Sequence, residues 1–235
     1  MVRPSGLPGM LFRYTTDDQD SAVRMARKQD AQTAFSLSAG DTPPQDARQT
    51  RILDAALALF VEFGLRRTTM EDVAQRAGMG RATVYRRFGD KDQLVQAVIL
   101  RECQQQLALI ESRLSAMTSP LDAMLEAFVL AVIGAWRHPL LARLLASEPE
   151  DILPYLTVRL PQLVTFSRLY LATQISKGQQ TGGLSDRPAE EIAELLLRLV
   201  QSLVLSPDGV ISPADEASVR RFAETFLRPL LAPAA

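Results

Sequence analysis

The stretch Thr68 to Lys91, TTMEDVAQRAGMGRATVYRRFGDK, holds the residues of this chain best suited to chemistry, and the chemistry is the reading of a nucleic acid. Arg81 to Phe88 is predicted as a short helix. Val84 and Phe88, four residues apart, face inward, while Thr83, Arg86 and Arg87 face outward. Before it, Thr69 is a good N-cap and Met70 to Ala77 makes a first helix with Val73, Ala74 and Ala77 on one side. Ala77-Gly78-Met79-Gly80 is the break between them, since glycine suits the φ > 0 position just past a helix end. A small helix with one apolar edge and one arginine-bearing edge, held by a helix at a steep angle, is the helix-turn-helix arrangement for reading a major groove.

No other constellation competes with it. His138 is the only histidine and abuts Pro139 at a predicted helix end. Cys103 is the only cysteine, on a different helix and far from His138 in predicted position, so a nucleophile–base pair is not expected. A single cysteine also rules out an intrachain disulfide and a cysteine-built metal site. Glu190, Glu191 and Glu194 fall near a helix N-terminus, where the dipole stabilises carboxylates, and do not read as metal ligands. No enzyme, cofactor or metal is therefore expected, and an all-α enzyme is the more remote of two rival readings. The nearer rival is an effector-independent dimeric DNA binder.

The charge pattern agrees with a nucleic-acid partner. Residues 48–101 carry 10 Lys and Arg against 6 Asp and Glu, whereas residues 102–235 carry 11 against 15. A basic segment beside an acidic one suits a DNA-binding head on a separate body. The chain has 235 residues, 47% of them hydrophobic, enough for a head and a larger core. No run approaches the ~18 apolar residues of a membrane span. The N-terminus lacks the sustained apolar core of a signal peptide, so the expected location is the cytoplasm.

The elements that must position the reading helix are all helical. Residues 1–46 mix Pro, Gly, Ser, Asp and Gln with little periodicity and are expected to form a disordered tail, with Arg24, Arg27 and Lys28 as a candidate basic arm. From Arg51 to Phe63, Ile52, Ala55, Ala56, Leu59, Phe60 and Phe63 make an amphipathic stripe, and Gly64 stops it. Asp90 caps a helix from Lys91 to about Ala116, near 40 Å long at ~1.5 Å per residue. Helical patterns follow over Leu121–Trp136, Leu140–Ala146, Gln162–Gly178, Pro188–Leu205 and Pro213–Leu231, with Pro149–Val158 irregular or a short helix. The fold class is all-α, with about nine helices.

The run Ile52-Leu53-Asp54-Ala55-Ala56, Leu59-Phe60, Gly64, Thr68-Thr69, Asp72-Val73-Ala74, Ala77-Gly78, Thr83-Val84-Tyr85-Arg86-Arg87-Phe88 and Lys91-Asp92-Gln93-Leu94 resembles the DNA-binding head of the tetracycline-repressor (TetR) family, nearly without gaps. The resemblance implies a head over residues 47–92 and a helical effector-binding and dimerisation body over 93–235. It implies that the second helix enters the major groove, with Arg81, Ala82 and Thr83 facing base edges. It assigns Tyr85, Arg86, Arg87, Lys91 and the hydroxyl and amide of Thr69 to phosphates. One departure stands out: Gly80 occupies a position where the family usually has a serine or similar cap.

The resemblance further implies a homodimer on a palindromic operator, and repression relieved by a small hydrophobic effector. Pro188–Leu205 and Pro213–Leu231 are the expected dimer helices, because Leu195, Leu196, Leu197, Leu199 and Val200 cover more than one face. Met117, Met124, Phe128, Trp136, Tyr155, Phe166 and Tyr170 are the candidates to line an effector pocket.

Overall fold

The computed structural model describes residues 47–234; the expected N-terminal tail, with its candidate basic arm, lies outside the described residues. Every described element is helical. Helix α1 (Ala47–Arg67) is followed by α2 (Met70–Ala77), α3 (Arg81–Phe88) and α4 (Lys91–Leu114). Then come α5 (Pro120–Arg137), α6 (Pro139–Ser147), α7 (Pro149–Thr157), α8 (Pro161–Gln180), α9 (Ala189–Leu205) and α10 (Glu216–Phe222). A π-helical turn (Ala223–Leu227) carries α10 into α11 (Arg228–Leu231). The all-α expectation and the count of about nine helices hold.

Local chemistry explains most of the boundaries. Proline is the first residue of α5, α6, α7 and α8, where its missing N–H would have had no helical partner. Asp90 and Ser119 accept from the amides of Gln93 and Asp122 and so cap α4 and α5. The π turn precedes Pro229, which has no N–H to offer the carbonyl of Thr225, so the ladder widens there instead of continuing.

Two hydrophobic cores hold these helices. The first joins Ile52, Phe60, Val73, Val84 and Leu94 of α1–α4 to Leu140, Leu144, Ile152 and Tyr155 of α6 and α7. The second joins α5, α8, α9 and α10 around Val132, Ile175, Leu196 and Val219. Helix α1 packs against α2, α4 and α6, so it buries Leu53 besides the expected stripe. Phe63, expected inside, is 43% exposed.

The first core closes over an unusual joint. Gly64 interrupts α1 with φ 85° and ψ 175°. The buried carboxylate of Glu148, between α6 and α7, fills the gap: its Oε2 accepts from the amides of Leu65 at 2.7 Å and Arg66 at 3.2 Å. A Cβ at position 64 would stand 2.1 Å from Glu148 Oε1, so only glycine admits the carboxylate. Arg66 adds pairs to Glu150 and Asp151, both at 2.5 Å. These lie in solvent, where screening leaves them a minor part of the joint.

Glu148→Ala is expected to strand the two amides and lower stability by about 2 kcal/mol. Gly64→Ala meets both the positive φ and the carboxylate and should cost at least as much. Thermal unfolding checks both; a melting temperature unmoved in the two variants would remove the joint from any structural role.

Candidate nucleic-acid interface and internal cavity

Helix α2 is set by a capping box. Thr69 Oγ1 accepts from Asp72 N at 3.2 Å, and the Thr69 amide donates to Asp72 Oδ2 at 2.8 Å. The Thr69 hydroxyl donates to the same carboxylate oxygen at 2.6 Å, and these bonds hold Asp72 below the usual carboxylate pKa range. Both donors of Thr69, expected to face a phosphate, bond Asp72 in this structure. At the far end Gly78 takes φ 64°, and Arg51 of α1 donates to Ala77 O at 2.8 Å, a cation on a helix C-terminus.

Helix α3 is anchored by Val84 and Phe88, 0% and 6% exposed. Its opposite edge is open: Arg81, Ala82, Tyr85 and Arg86 are exposed and Thr83 is half-buried. The Arg81 guanidinium lies 5.2 Å from the Tyr85 ring centroid and 3.2 Å from Glu71 Oε2. Arg81 is thus held by an aromatic face and a carboxylate that the sequence pattern did not single out. Arg87 leans back onto α1, donating to Gln49 Oε1 at 2.8 Å. Lys91, at the start of α4, is half-buried. Burial pulls its ammonium pKa down, while the charges of Glu148, Asp151 and Asp72 oppose that shift. Gly80 begins α3 with no side-chain cap, and a Cβ there would meet nothing within 4 Å.

A cavity of about 660 Å³ lies among α4, α5, α8 and α9. Of the pocket candidates, Met124, Phe128 and Tyr170 line it; Trp136, Tyr155, Phe166 and Met117 do not. Tyr155 belongs to the first core, where its hydroxyl donates to Asp92 Oδ1 at 2.6 Å. Phe166 stacks on Tyr170 but sits off the α8 stripe formed by Leu163, Ser167, Tyr170 and Gln174. Trp136 likewise lies off the α5 face that carries Ala131, Gly134, Ala135 and His138. The missed residues are aliphatic, small or polar, types that aromatic and methionine content cannot flag.

His138 and Cys103, expected far apart, both line this cavity. His138 Nε2 meets Glu102 Oε2 at 3.2 Å, while the Cys103 thiol, pushed up in pKa by burial, faces Ser167 at 3.9 Å. Glu102 also accepts from Arg101, and Arg101 Nη1 reaches Asp54 on α1 at 2.7 Å. A polar chain therefore runs from the cavity wall to the first helix of the head.

Two short helices on a buried edge, the second with an outward row of arginine, tyrosine and alanine, define a helix-turn-helix module in an all-helical chain. The family model for bacterial regulatory proteins of the tetR family matches residues 52–98. An uncharacterised HTH-type transcriptional regulator of Mycobacterium bovis is 27% identical over 72% of this chain and 86% of its own length. The repressor KstR2 of Rhodococcus jostii is 39% identical over 61 residues, 26% of this chain and 30% of that one. The crystal structure of the TetR-family repressor AlkX from a Dietzia strain superposes with a TM-score of 0.59 at 22% identity, covering 79% of this chain and 97% of that one. Through residues 52–98, and over most of its fold, the chain is similar to TetR-family transcriptional regulators.

Tyr85→Ala and Lys91→Ala are expected to weaken binding to all DNA sequences and flatten its salt dependence, Lys91→Ala by about one unit of slope for the phosphate it no longer neutralises. Thr83→Ala should change preference at one base position; an unchanged sequence profile would remove Thr83 from the reading set. Gly80→Ser, which fills open space, is expected to add a cap worth a few tenths of a kcal/mol. It should also tighten operator binding, whereas a lower melting temperature would contradict the open geometry.

Proposed function

We propose that two copies of this chain grip a palindromic operator, repress transcription there, and release it when a small hydrophobic effector enters the cavity. The reading assigns residues 47–92 to the DNA head and 93–235 to the effector-binding and dimerisation body. The observation that carries it is the pairing of an open arginine-bearing edge on α3 with an apolar cavity tied to α1 through Glu102, Arg101 and Asp54. Arg81 and Thr83 are the base-reading side chains, with Ala82 allowing close approach. Tyr85, Arg86 and Lys91 hold phosphates.

Dimerisation follows from the need to place two heads about one helical turn, ~34 Å, apart or a multiple of it. Helix α9 spends much of its apolar excess inside the protomer: Ile192, Ala193 and Leu196 enter the second core, and Leu197 and Val200 reach the cavity. What remains outside is Leu195 at 42% exposure, and, in the π turn after α10, Phe226 at 64%, its ring tilted against that of Phe222. These are the side chains for a helical interface with the symmetry mate. An effector-independent DNA binder would have the same head but no use for the cavity, which favours the effector reading.

Selection of bound sequences from a random DNA pool is expected to return an inverted repeat. Phe226→Glu should give a monomer in sedimentation at micromolar concentration and lose operator affinity at least tenfold. A single unpaired half-site from the selection, or a wild-type monomer that binds as tightly as the pool's best site demands, would overturn the dimeric reading.

A further inference from the structure

The cavity has a direction. On α4 its wall runs from Ile99 to Ser115, and on α5 from Pro120 to His138. Sixteen helical steps at ~1.5 Å each make a channel about 24 Å long. One end is buried: Ile99 and Leu140 are 6% and 2% exposed. The other is open, where Ser115, Lys177 and Thr181 are all exposed. Between the ends, α5 presents Ala123, Ala127 and Ala131 to the channel, small side chains that leave its bore clear over most of its length. The cavity is elongated along α4 and α5.

The charges also have a direction. Glu102 at the inner end already pairs with Arg101 and bonds His138, so a second anion there would meet a carboxylate whose cation is engaged. Lys177, at the open end, is the one Lys or Arg on the wall among the described residues. Glu111, the acidic residue nearest that end, accepts from the Tyr170 hydroxyl.

We infer that the channel takes a long unbranched aliphatic carboxylate, tail inward toward Ile99 and Leu140, carboxylate outward at Lys177. The inference rests on the effector reading above and specifies its ligand. Such a chain buries a methylene at each step, and the channel measures its length: affinity rises with each carbon until the tail meets the inner end, then falls.

The test is a titration of the full-length protein with octanoate, decanoate, dodecanoate, myristate, palmitate, stearate and eicosanoate, read by calorimetry and by release of operator DNA. Each added methylene should tighten binding about fourfold until an optimum is passed. Ala131→Phe plugs the channel part-way in. It should move the optimum to a shorter chain, while an unchanged helical circular-dichroism spectrum and a cooperative thermal transition show that the variant is folded. Lys177→Gln should weaken the carboxylates and leave the matching straight-chain alcohols unaffected. Affinity independent of chain length, or an optimum unmoved by Ala131→Phe, overturns the inference. If compact aromatic or polycyclic compounds release the operator while the chains do not, the ligand class is wrong and the effector reading stands. If neither these compounds nor the chains bind, both fall.

Discussion

The structure depends on a carboxylate placed inside a broken helix. Taking a carboxylate out of water costs several kcal/mol, so Glu148 is tolerated only because something replaces its hydration. The replacement is the restarted turn of α1, whose first amides, Leu65 and Arg66, point at it as a helix N-terminus points at an anion. The joint needs glycine at 64 for its backbone angles and for the missing Cβ. Once formed, it fastens α6 and α7 onto the head. The consequences extend to α4, where Tyr155 of α7 donates to Asp92 in the first turn. Burial and the bond to Asp92 push the tyrosine pKa up to about 12, so it remains a donor throughout the neutral range. Helix α4 thus begins against a group that belongs to α7.

Much of this was legible in the residue order, and what was not has a common cause. Periodicity and caps marked the helices, because Thr69, Gly78, Asp90 and the four helix-starting prolines act locally. The inward pair Val84 and Phe88 was equally visible. Gly64 was readable as a stop, but nothing near it in sequence announces Glu148, 84 positions on and brought there only by tertiary packing. Thr69 looked free for phosphate for a related reason: a good cap is visible in sequence, but the return bonds that Asp72 makes to it are not. The cavity wall was the least legible part. Large aromatics are chosen by the core as readily as by a cavity, and Tyr155 went to the core. The wall is built largely of leucines, which periodicity assigns to a core as readily as to a cavity, with alanines and polar residues between them.

Under the proposed function the cavity must act on the head, and the two connections between them differ greatly in stiffness. A ligand shifts an equilibrium only by its differential affinity, and moving a population from 1:99 to 99:1 takes about 5.5 kcal/mol. That free energy goes furthest where the structure resists least. The joint at Gly64 is buried, hydrogen-bonded twice and flanked by the Arg66 pairs, so opening it would leave an uncompensated charge. The Asp54–Arg101 pair is the opposite case: the arginine is 5% exposed but the aspartate side chain is 64% exposed and water can replace its partner. Asp54 lies ten residues from Gly64, about 15 Å along α1. A change at Glu102 and His138 therefore meets a soft contact at one point on α1 and a hard one further along it. Any tilt of the head costs least if it turns about residue 64 and exchanges the contact at residue 54. That turn would carry α2 and α3, which pack in sequence from α1, while the seam with α6 and α7 stays closed.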